Sequence, residues 1–196
     1  MGHDPSAGWE AVADRFMAVR SDVGADIVRR WARHLPPGGA VVDIGCGSGA
    51  PIAQALVNAG LTVAGIDPSP TLLAAFHARF PDAAAACEPA ETSRFFGRRF
   101  DGAVAISLFF LLPEDTQLTL IHRVAAALNP AGRFLFTAPR EACEWEDRLT
   151  GRRSVSLGMA GYEAALGGAG MRLVGSHRDA GGNHYFDAVA MPAVSG

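Results

Sequence analysis

One glycine-rich segment constrains the fold of this chain more than any other. Residues 40–44 form a valine-rich apolar run that is too short for a helix, which predicts a buried parallel strand. Gly45, Gly47 and Gly49 follow, and Pro51 suits the first turn of a helix. Glycine tolerates positive φ and lets a ligand approach the backbone, while a helix N-terminus offers free N–H groups. The segment therefore predicts a strand, a ligand-binding turn and a helix in succession.

The same alternation continues along the chain. Short apolar runs separated by helical patterns predict a parallel sheet that is covered by helices on both faces. Ser69 and Pro70 have the N-cap and first-turn chemistry of a helix. The last two runs flank a short segment with two glycines, which predicts a hairpin. The predicted fold is α/β and doubly wound, with strands over residues 40–44, 61–66, 83–87, 102–107, 132–138, 171–177 and 184–191.

Two acidic residues bear on the ligand of this turn. Asp67 follows the second predicted strand, where nucleotide-binding units carry a carboxylate for ribose hydroxyls. Residues 45–50 also fit the dinucleotide pattern G-x-G-x-x-G/A, so an NAD-dependent oxidoreductase is an alternative. Asp43 argues against it, because a negative charge beside the first glycine would repel a pyrophosphate and stabilise an ammonium group. A third alternative is a cofactor-binding module without catalysis.

Over residues 20–191 the chain resembles the class I S-adenosylmethionine-dependent methyltransferases. Residues 43–49 resemble that family's first motif and Asp67 its second, and residues 128–134 resemble the turn before its fifth strand, with Ala131 replacing a glycine. The resemblance implies a mostly parallel seven-stranded sheet with an antiparallel last strand, and S-adenosyl-L-methionine as the cofactor. It also implies methyl transfer to an oxygen, nitrogen, sulfur or carbon nucleophile, which we expect to belong to a small molecule.

The resemblance assigns roles to residues around the turn. It places the methionine part of the cofactor beside the glycines, with Asp43 supporting it through water, and the ribose hydroxyls on Asp67. Glu91, or alternatively Glu88, corresponds to the polar residue near the adenine amino group. Ser107, at the end of the fourth strand, corresponds to the wall around the sulfonium. The predicted cofactor-binding residues are Asp43, Gly45, Cys46, Gly47, Gly49, Asp67, Pro68, Glu91 and Ser107.

The acceptor side is predicted from loop segments and strand ends. Segments 1–25 and 139–160 are large enough to form a lid, and loops on a rigid sheet commonly carry specificity. His184 and Tyr185 are the candidates for a general base, although methyl transfer depends on alignment more than on acid–base chemistry. No carboxylate precedes Glu114 near the end of the fourth strand, so we expect no metal ion. The predicted acceptor contacts are Arg20, Phe109, Trp145 and Tyr185.

Length and composition predict a single domain. Within the 196 residues, we expect 1–35 to form a helical arm or lid and 36–196 a Rossmann-like core. A net charge of -3 with interleaved signs argues against a nucleic-acid partner. The three cysteines fit neither a disulfide framework nor a zinc site, and we interpret Cys46 as a packing residue. No apolar run reaches membrane-spanning length, so we expect a cytoplasmic protein without a membrane partner. The oligomeric state is left open.

Overall fold

A computed structural model describes residue 4 and residues 6–192 of the chain. In this part, the α-helices are α1 Ala13–Val19, α2 Ala25–Ala32, α3 Ile52–Asn58, α4 Pro70–Arg79, α5 Glu114–Ala127 and α6 Gly158–Gly168. The strands are β1 Ala40–Ile44, β2 Thr62–Ile66, β3 Ala84–Ala86, β4 Phe100–Ala105, β5 Leu128–Thr137, β6 Ala142–Glu146, β7 Arg153–Leu157, β8 Met171–Arg178 and β9 His184–Ala190.

Seven of these strands form one sheet, in the order β3-β2-β1-β4-β5-β9-β8. β1 pairs in parallel with both β2 and β4, and β9 runs antiparallel to its neighbours β5 and β8. The predicted α/β fold with a mostly parallel sheet and an antiparallel last strand is confirmed. The chain order reverses between β1 and β4, and open α/β sheets bind ligands beyond the carboxyl ends of strands at such a reversal.

Helices cover both faces of the sheet. Val42 of β1 belongs to a core that includes residues of α5 and α6, whereas Val41 belongs to a core with residues of α2, α3 and α4. Successive strand residues point to opposite faces, so a strand buried on both faces is apolar throughout. At the start of α4, the predicted cap is confirmed, since the Ser69 hydroxyl accepts from the Leu72 N–H at 3.2 Å.

The segment after β5 holds structure that the sequence did not reveal. β6 and β7 pair as an antiparallel hairpin outside the main sheet, and α6 follows directly. Gln117 of α5 fastens the hairpin, because its Nε2 donates to the Val155 carbonyl at 3.0 Å. Its Oε1 accepts from the Tyr162 hydroxyl of α6 at 2.7 Å. The region that we expected as a lid is therefore a hairpin anchored to two helices.

Candidate functional site

The turn after β1 is held open by backbone conformation and by one carboxylate. Gly45 has φ +73° and Gly47 φ +53°, a region that favours glycine. The Asp67 carboxylate accepts from the Gly47 N–H and from the Ser69 N–H, each at 2.9 Å. Burial raises the pKa of Asp67 from its ordinary value, while these two bonds oppose the rise. Asp67 thereby joins the β1 turn to the β2 turn at the carboxyl edge of the sheet.

Two oppositely charged side chains, those of Asp43 and Arg20, have buried polar atoms behind this turn. Asp43 is only 2% exposed, and its Oδ2 has no hydrogen-bond partner among the described residues. Burial raises the pKa of the Asp43 carboxyl to about 7, although the positive charge of Arg20 acts in the opposite direction. The Arg20 Nε is likewise buried without a partner. Among the described residues, the two side chains are not within ion-pair distance of each other. Unpaired buried charges are costly, and of these two residues Arg20 borders the cleft, where a ligand can reach it.

Two adjoining cavities occupy the carboxyl edge in front of the turn. One cavity, of about 220 Å³, is bordered by Arg20, Gly47 and Ser107; we call it the methionine-end cavity, after the part of the cofactor that the resemblance places beside the glycines. The other, of about 400 Å³, is bordered by Glu91 and Ala90; we call it the adenine-end cavity, because the resemblance places Glu91 near the adenine. Gly45, Pro68 and Leu108 border both cavities. The two cavities therefore make one elongated cleft, with room for a nucleoside at one end and an amino-acid chain at the other.

The N-terminal segment covers the cleft. Trp9 borders both cavities and Phe16 borders the methionine end. Glu10 holds this segment in place: its carboxylate accepts from the Thr71 hydroxyl at 2.6 Å, from the Thr71 N–H at 3.2 Å and from the Ser69 hydroxyl. These bonds lie at the N-terminus of α4, where a negative charge is favourable. The predicted N-terminal lid thus has a specific attachment point.

The end of β4 leads to a third cavity, of about 560 Å³. Ser107 has φ +60°, and its N–H donates to the Thr137 hydroxyl at the end of β5 at 2.7 Å. Thr137, Trp145 and His184 border this third cavity, which we call the acceptor cavity. Phe110 borders both it and the methionine-end cavity. The structure thus brings three predicted site residues, Ser107, Trp145 and His184, to one end of the cleft.

Two predicted cofactor-binding residues face the core instead. A Cβ on Gly49 would lie 2.5 Å from the Phe80 ring and 2.9 Å from the Phe76 ring, so this glycine is required by packing. The Cys46 thiol packs over Gly65 of β2, and burial raises its pKa. A thiol of that kind is protonated and unreactive, in agreement with a packing role. Neither side-chain position borders the cleft, and the Asp43 side chain, also predicted at the cofactor, is not among the residues that border it.

The structure corrects two predicted acceptor contacts. Phe109 is fully buried in the aromatic core, with its ring centroid 4.7 Å from that of Phe136, so it does not reach the cleft. Tyr185 is 1% exposed, and its hydroxyl lies against Gly24 and donates to Asp179 at 2.8 Å. Burial raises the pKa of Tyr185, which removes it further from general-base chemistry. The acceptor cavity is bordered instead by their neighbours in the sequence, Phe110 and His184.

Sequence reasoning also missed residues that shape the site. Glu10 contacts a helix cap 59 residues further along the chain, a separation at which no local pattern exists. Trp9 and Phe16 lie in a mixed polar segment without clear periodicity. Arg178 is the last residue of β8, and Arg140 follows the end of β5 by three residues. Their positions at strand ends on the carboxyl edge were the available signal.

Two further features of the described residues concern metal binding and membrane spans. Over residue 4 and residues 6–192, no three or more His, Cys, Asp or Glu side chains gather in a group that could hold a metal ion. The expectation of a metal-independent reaction remains a prediction. In the same residues, none of the helices combines the length and apolarity needed to cross a membrane.

The fold and the cleft together define a nucleotide-binding α/β protein with room for a second ligand beside its glycine turn. Residues 14–188 match the methyltransferase domain family. The chain belongs to that family, which confirms the prediction of a class I S-adenosylmethionine-dependent methyltransferase. No curated protein matches the chain.

Solved structures support the same fold at low identity. The chain is similar to the Burkholderia thailandensis 1,6-didemethyltoxoflavin-N1-methyltransferase, with TM-score 0.71, 20% identity, and coverage of 98% of this chain and 92% of that one. For the Synechocystis magnesium protoporphyrin IX methyltransferase the TM-score is 0.75, with 17% identity and coverage of 94% and 97%. The chain is also similar to the methyltransferase solved with the Haloferax volcanii Trm112 activator, with TM-score 0.81, 17% identity, and coverage of 98% of this chain and 100% of that one. None of these findings supports the NAD-dependent alternative.

Proposed function

We propose that this chain binds S-adenosylmethionine in the elongated cleft and methylates a small molecule that enters through the acceptor cavity. The unpaired Asp43 carboxylate and Arg20 guanidinium carry the proposal. The amino-acid end of the cofactor has one ammonium and one carboxylate. The Arg20 side chain borders the methionine-end cavity and suits the carboxylate, while Asp43, buried behind the turn, favours the ammonium through its charge. A dinucleotide would instead place its negatively charged pyrophosphate near the buried carboxylate, and the two charges would repel each other. Arg20, which we expected on the acceptor side, is therefore assigned to the cofactor.

The rest of the cleft fits the other parts of the same molecule. Asp67 uses one lone pair of each carboxylate oxygen for a backbone N–H, so further lone pairs remain for ribose hydroxyls. Pro68 and Leu108 offer apolar surface in the adenine-end cavity, where Glu91 can accept from an amino group. Solved neighbours contain S-adenosylhomocysteine, the product of methyl donation. The cofactor supplies a methyl group on a positively charged sulfur, and that sulfur keeps the bonding electron pair when the methyl group leaves.

The chain's own residues then provide alignment, exclusion of water and a place for a proton. Phe110 borders both the methionine-end cavity and the acceptor cavity, and Ser107 borders the first and donates its N–H to Thr137, which borders the second. Both residues therefore lie along the path of transfer. Burial and the nearby Arg140 lower the pKa of His184, which keeps its imidazole neutral near pH 7. His184 Nε2 is buried and has no hydrogen-bond partner within residue 4 and residues 6–192. We assign His184 as the acceptor of the proton released by an O–H or N–H nucleophile.

Small-molecule acceptors are supported by the neighbours, whose names include a toxoflavin precursor and magnesium protoporphyrin IX. The interleaved charge of the chain gives no basic stripe for nucleic acid. The metal-free reaction, the cytoplasmic location and the single-domain organisation stay predictions alongside this proposal.

Calorimetric titration with S-adenosylhomocysteine tests the proposal. Wild-type protein should bind it, and Arg20→Ala should weaken binding by roughly ten- to a hundredfold, the range for a lost charge-assisted hydrogen bond. Arg33→Ala, at an exposed position after α2, is the matched control and should bind as wild type. Binding of NADH in place of S-adenosylhomocysteine would refute the proposal.

A further inference from the structure

The acceptor cavity has an aromatic wall made by two separate elements. Phe110 follows β4 and Trp145 lies in β6, and their ring centroids are 5.4 Å apart at an interplanar angle of 44°. Both residues are half-buried, so each keeps some surface toward the cavity. Aromatic side chains that border a cavity offer a stacking surface for a planar ligand. Because Phe110 also borders the methionine-end cavity, a ring stacked here lies next to the site of transfer.

The lining of the acceptor cavity is also positively charged. Arg140, after β5, and Arg178, at the end of β8, both border it, and Glu141 is the single carboxylate among the described residues that line it. Within the described part of the chain, neither guanidinium forms an ion pair. The Arg178 Nε donates to the Gly182 carbonyl at 3.3 Å, which orients the group across the turn before β9. Guanidinium groups suit carboxylates because they can donate two parallel hydrogen bonds.

The surroundings of His184 are in keeping with this charge. Burial lowers the pKa of the His184 imidazole most, Arg140 and Arg178 act in the same direction, and Glu141 acts in the opposite one. Two guanidinium groups against one carboxylate give the described lining of the cavity a positive charge. Such an environment favours an anionic ligand over a neutral one and disfavours a cation.

We infer that the methyl acceptor is a planar aromatic acid, with its ring against Phe110 and Trp145 and its carboxylate between Arg140 and Arg178. This inference rests on the proposed function, because it names the class of molecule that enters beside the cofactor. It also gives the aromatic wall and the arginine pair separate tasks. The wall fixes the plane of the ring, and the arginines fix its direction, so the nucleophile is turned toward Ser107 and the end of β4.

Ligand-observed NMR on the wild-type complex with S-adenosylhomocysteine tests the inference. The probes are 4-hydroxybenzoate, its neutral amide 4-hydroxybenzamide, and the saturated acid cyclohexanecarboxylate, each at up to about 10 mM, because fragments of this size bind in the millimolar range. The aromatic acid should bind at least about tenfold more tightly than either comparison compound. Equal binding of acid and amide, tighter binding of the saturated acid, or no binding of 4-hydroxybenzoate would overturn it.

Variants separate the two halves of the site. Arg140→Ala combined with Arg178→Ala should remove the preference for acid over amide, and Trp145→Ala should remove the preference for the aromatic ring. Arg172→Ala, exposed on β8 and outside the cavity lining, is the control and should change neither. An unchanged preference in the double variant would overturn the assignment. Calorimetry with S-adenosylhomocysteine distinguishes the failures: if it binds while aromatic acids do not, only the inference is wrong, and if it does not bind, the proposed function is wrong.

Discussion

Replacing Asp43 by Asn should stabilise the ligand-free protein and weaken its binding of S-adenosylhomocysteine. A carboxyl whose pKa rises from 3.8 to about 7 on folding makes the folded state less stable by about 4 kcal/mol once the pH exceeds 7. The sign follows from proton binding: between these two values the folded state holds the proton and the unfolded state does not. The penalty is therefore absent below pH 3.8, grows toward pH 7 and is constant above it.

The asparagine removes this penalty but buries an amide that needs its own partners, at a cost of about 1–3 kcal/mol. The ligand-free Asp43→Asn variant should thus be more stable than wild type by about 1–3 kcal/mol at pH 8.5. Near pH 4, where the carboxyl penalty is almost absent, only the amide cost remains, so the variant should be less stable than wild type by about 1–3 kcal/mol. Binding of S-adenosylhomocysteine should fall roughly ten- to a hundredfold, because the ammonium group loses a charged partner.

Urea denaturation without ligand at pH 4 and pH 8.5, together with calorimetric titration at pH 8.5, measures both effects. Asp82→Asn, an exposed residue after α4, is the matched control and should change neither quantity. A ligand-free Asp43→Asn protein that is less stable than wild type at pH 8.5 would show that the native carboxylate is already paired. Unchanged affinity for S-adenosylhomocysteine would refute the assignment of Asp43 to the cofactor.

Three further variants test other parts of the structure. Glu10→Ala should release the N-terminal segment from α4 and weaken S-adenosylhomocysteine binding several-fold by calorimetry, while Glu163→Ala, exposed on α6, should not. Gly49→Ala should destabilise the fold by about 2–4 kcal/mol in urea, since its Cβ would enter the Phe76 and Phe80 rings at positive φ. Tyr185→Phe should lose about 1 kcal/mol of stability and retain turnover, and loss of turnover in a stable protein would restore Tyr185 to the active site.

Much of the fold was predictable because its signals are local. The β1 run, the glycines and the cap at Ser69 each depend on residues within a few positions of one another. The β6–β7 hairpin escaped prediction since its strands lack a buried apolar alternation: β6 is largely exposed, and its pairing partner lies across a polar turn. Its position depends on Gln117 and Tyr162, whose contacts with it come from distant parts of the chain.

The sequence by itself predicted a ligand-binding turn with Asp43, the glycines and Asp67, because backbone conformation and charge depend on adjacent residues. Tertiary structure decided which of two neighbours enters the site. His184 borders the acceptor cavity and Tyr185 does not, since successive residues of β9 point to opposite faces, and helices or other segments cover both. Phe109 is buried in the core, whereas its neighbour Phe110 borders the acceptor cavity. In each of these two pairs, either residue could by its chemistry lie in the core or at the cavity. Only the packing of the complete fold decides which residue borders the cavity.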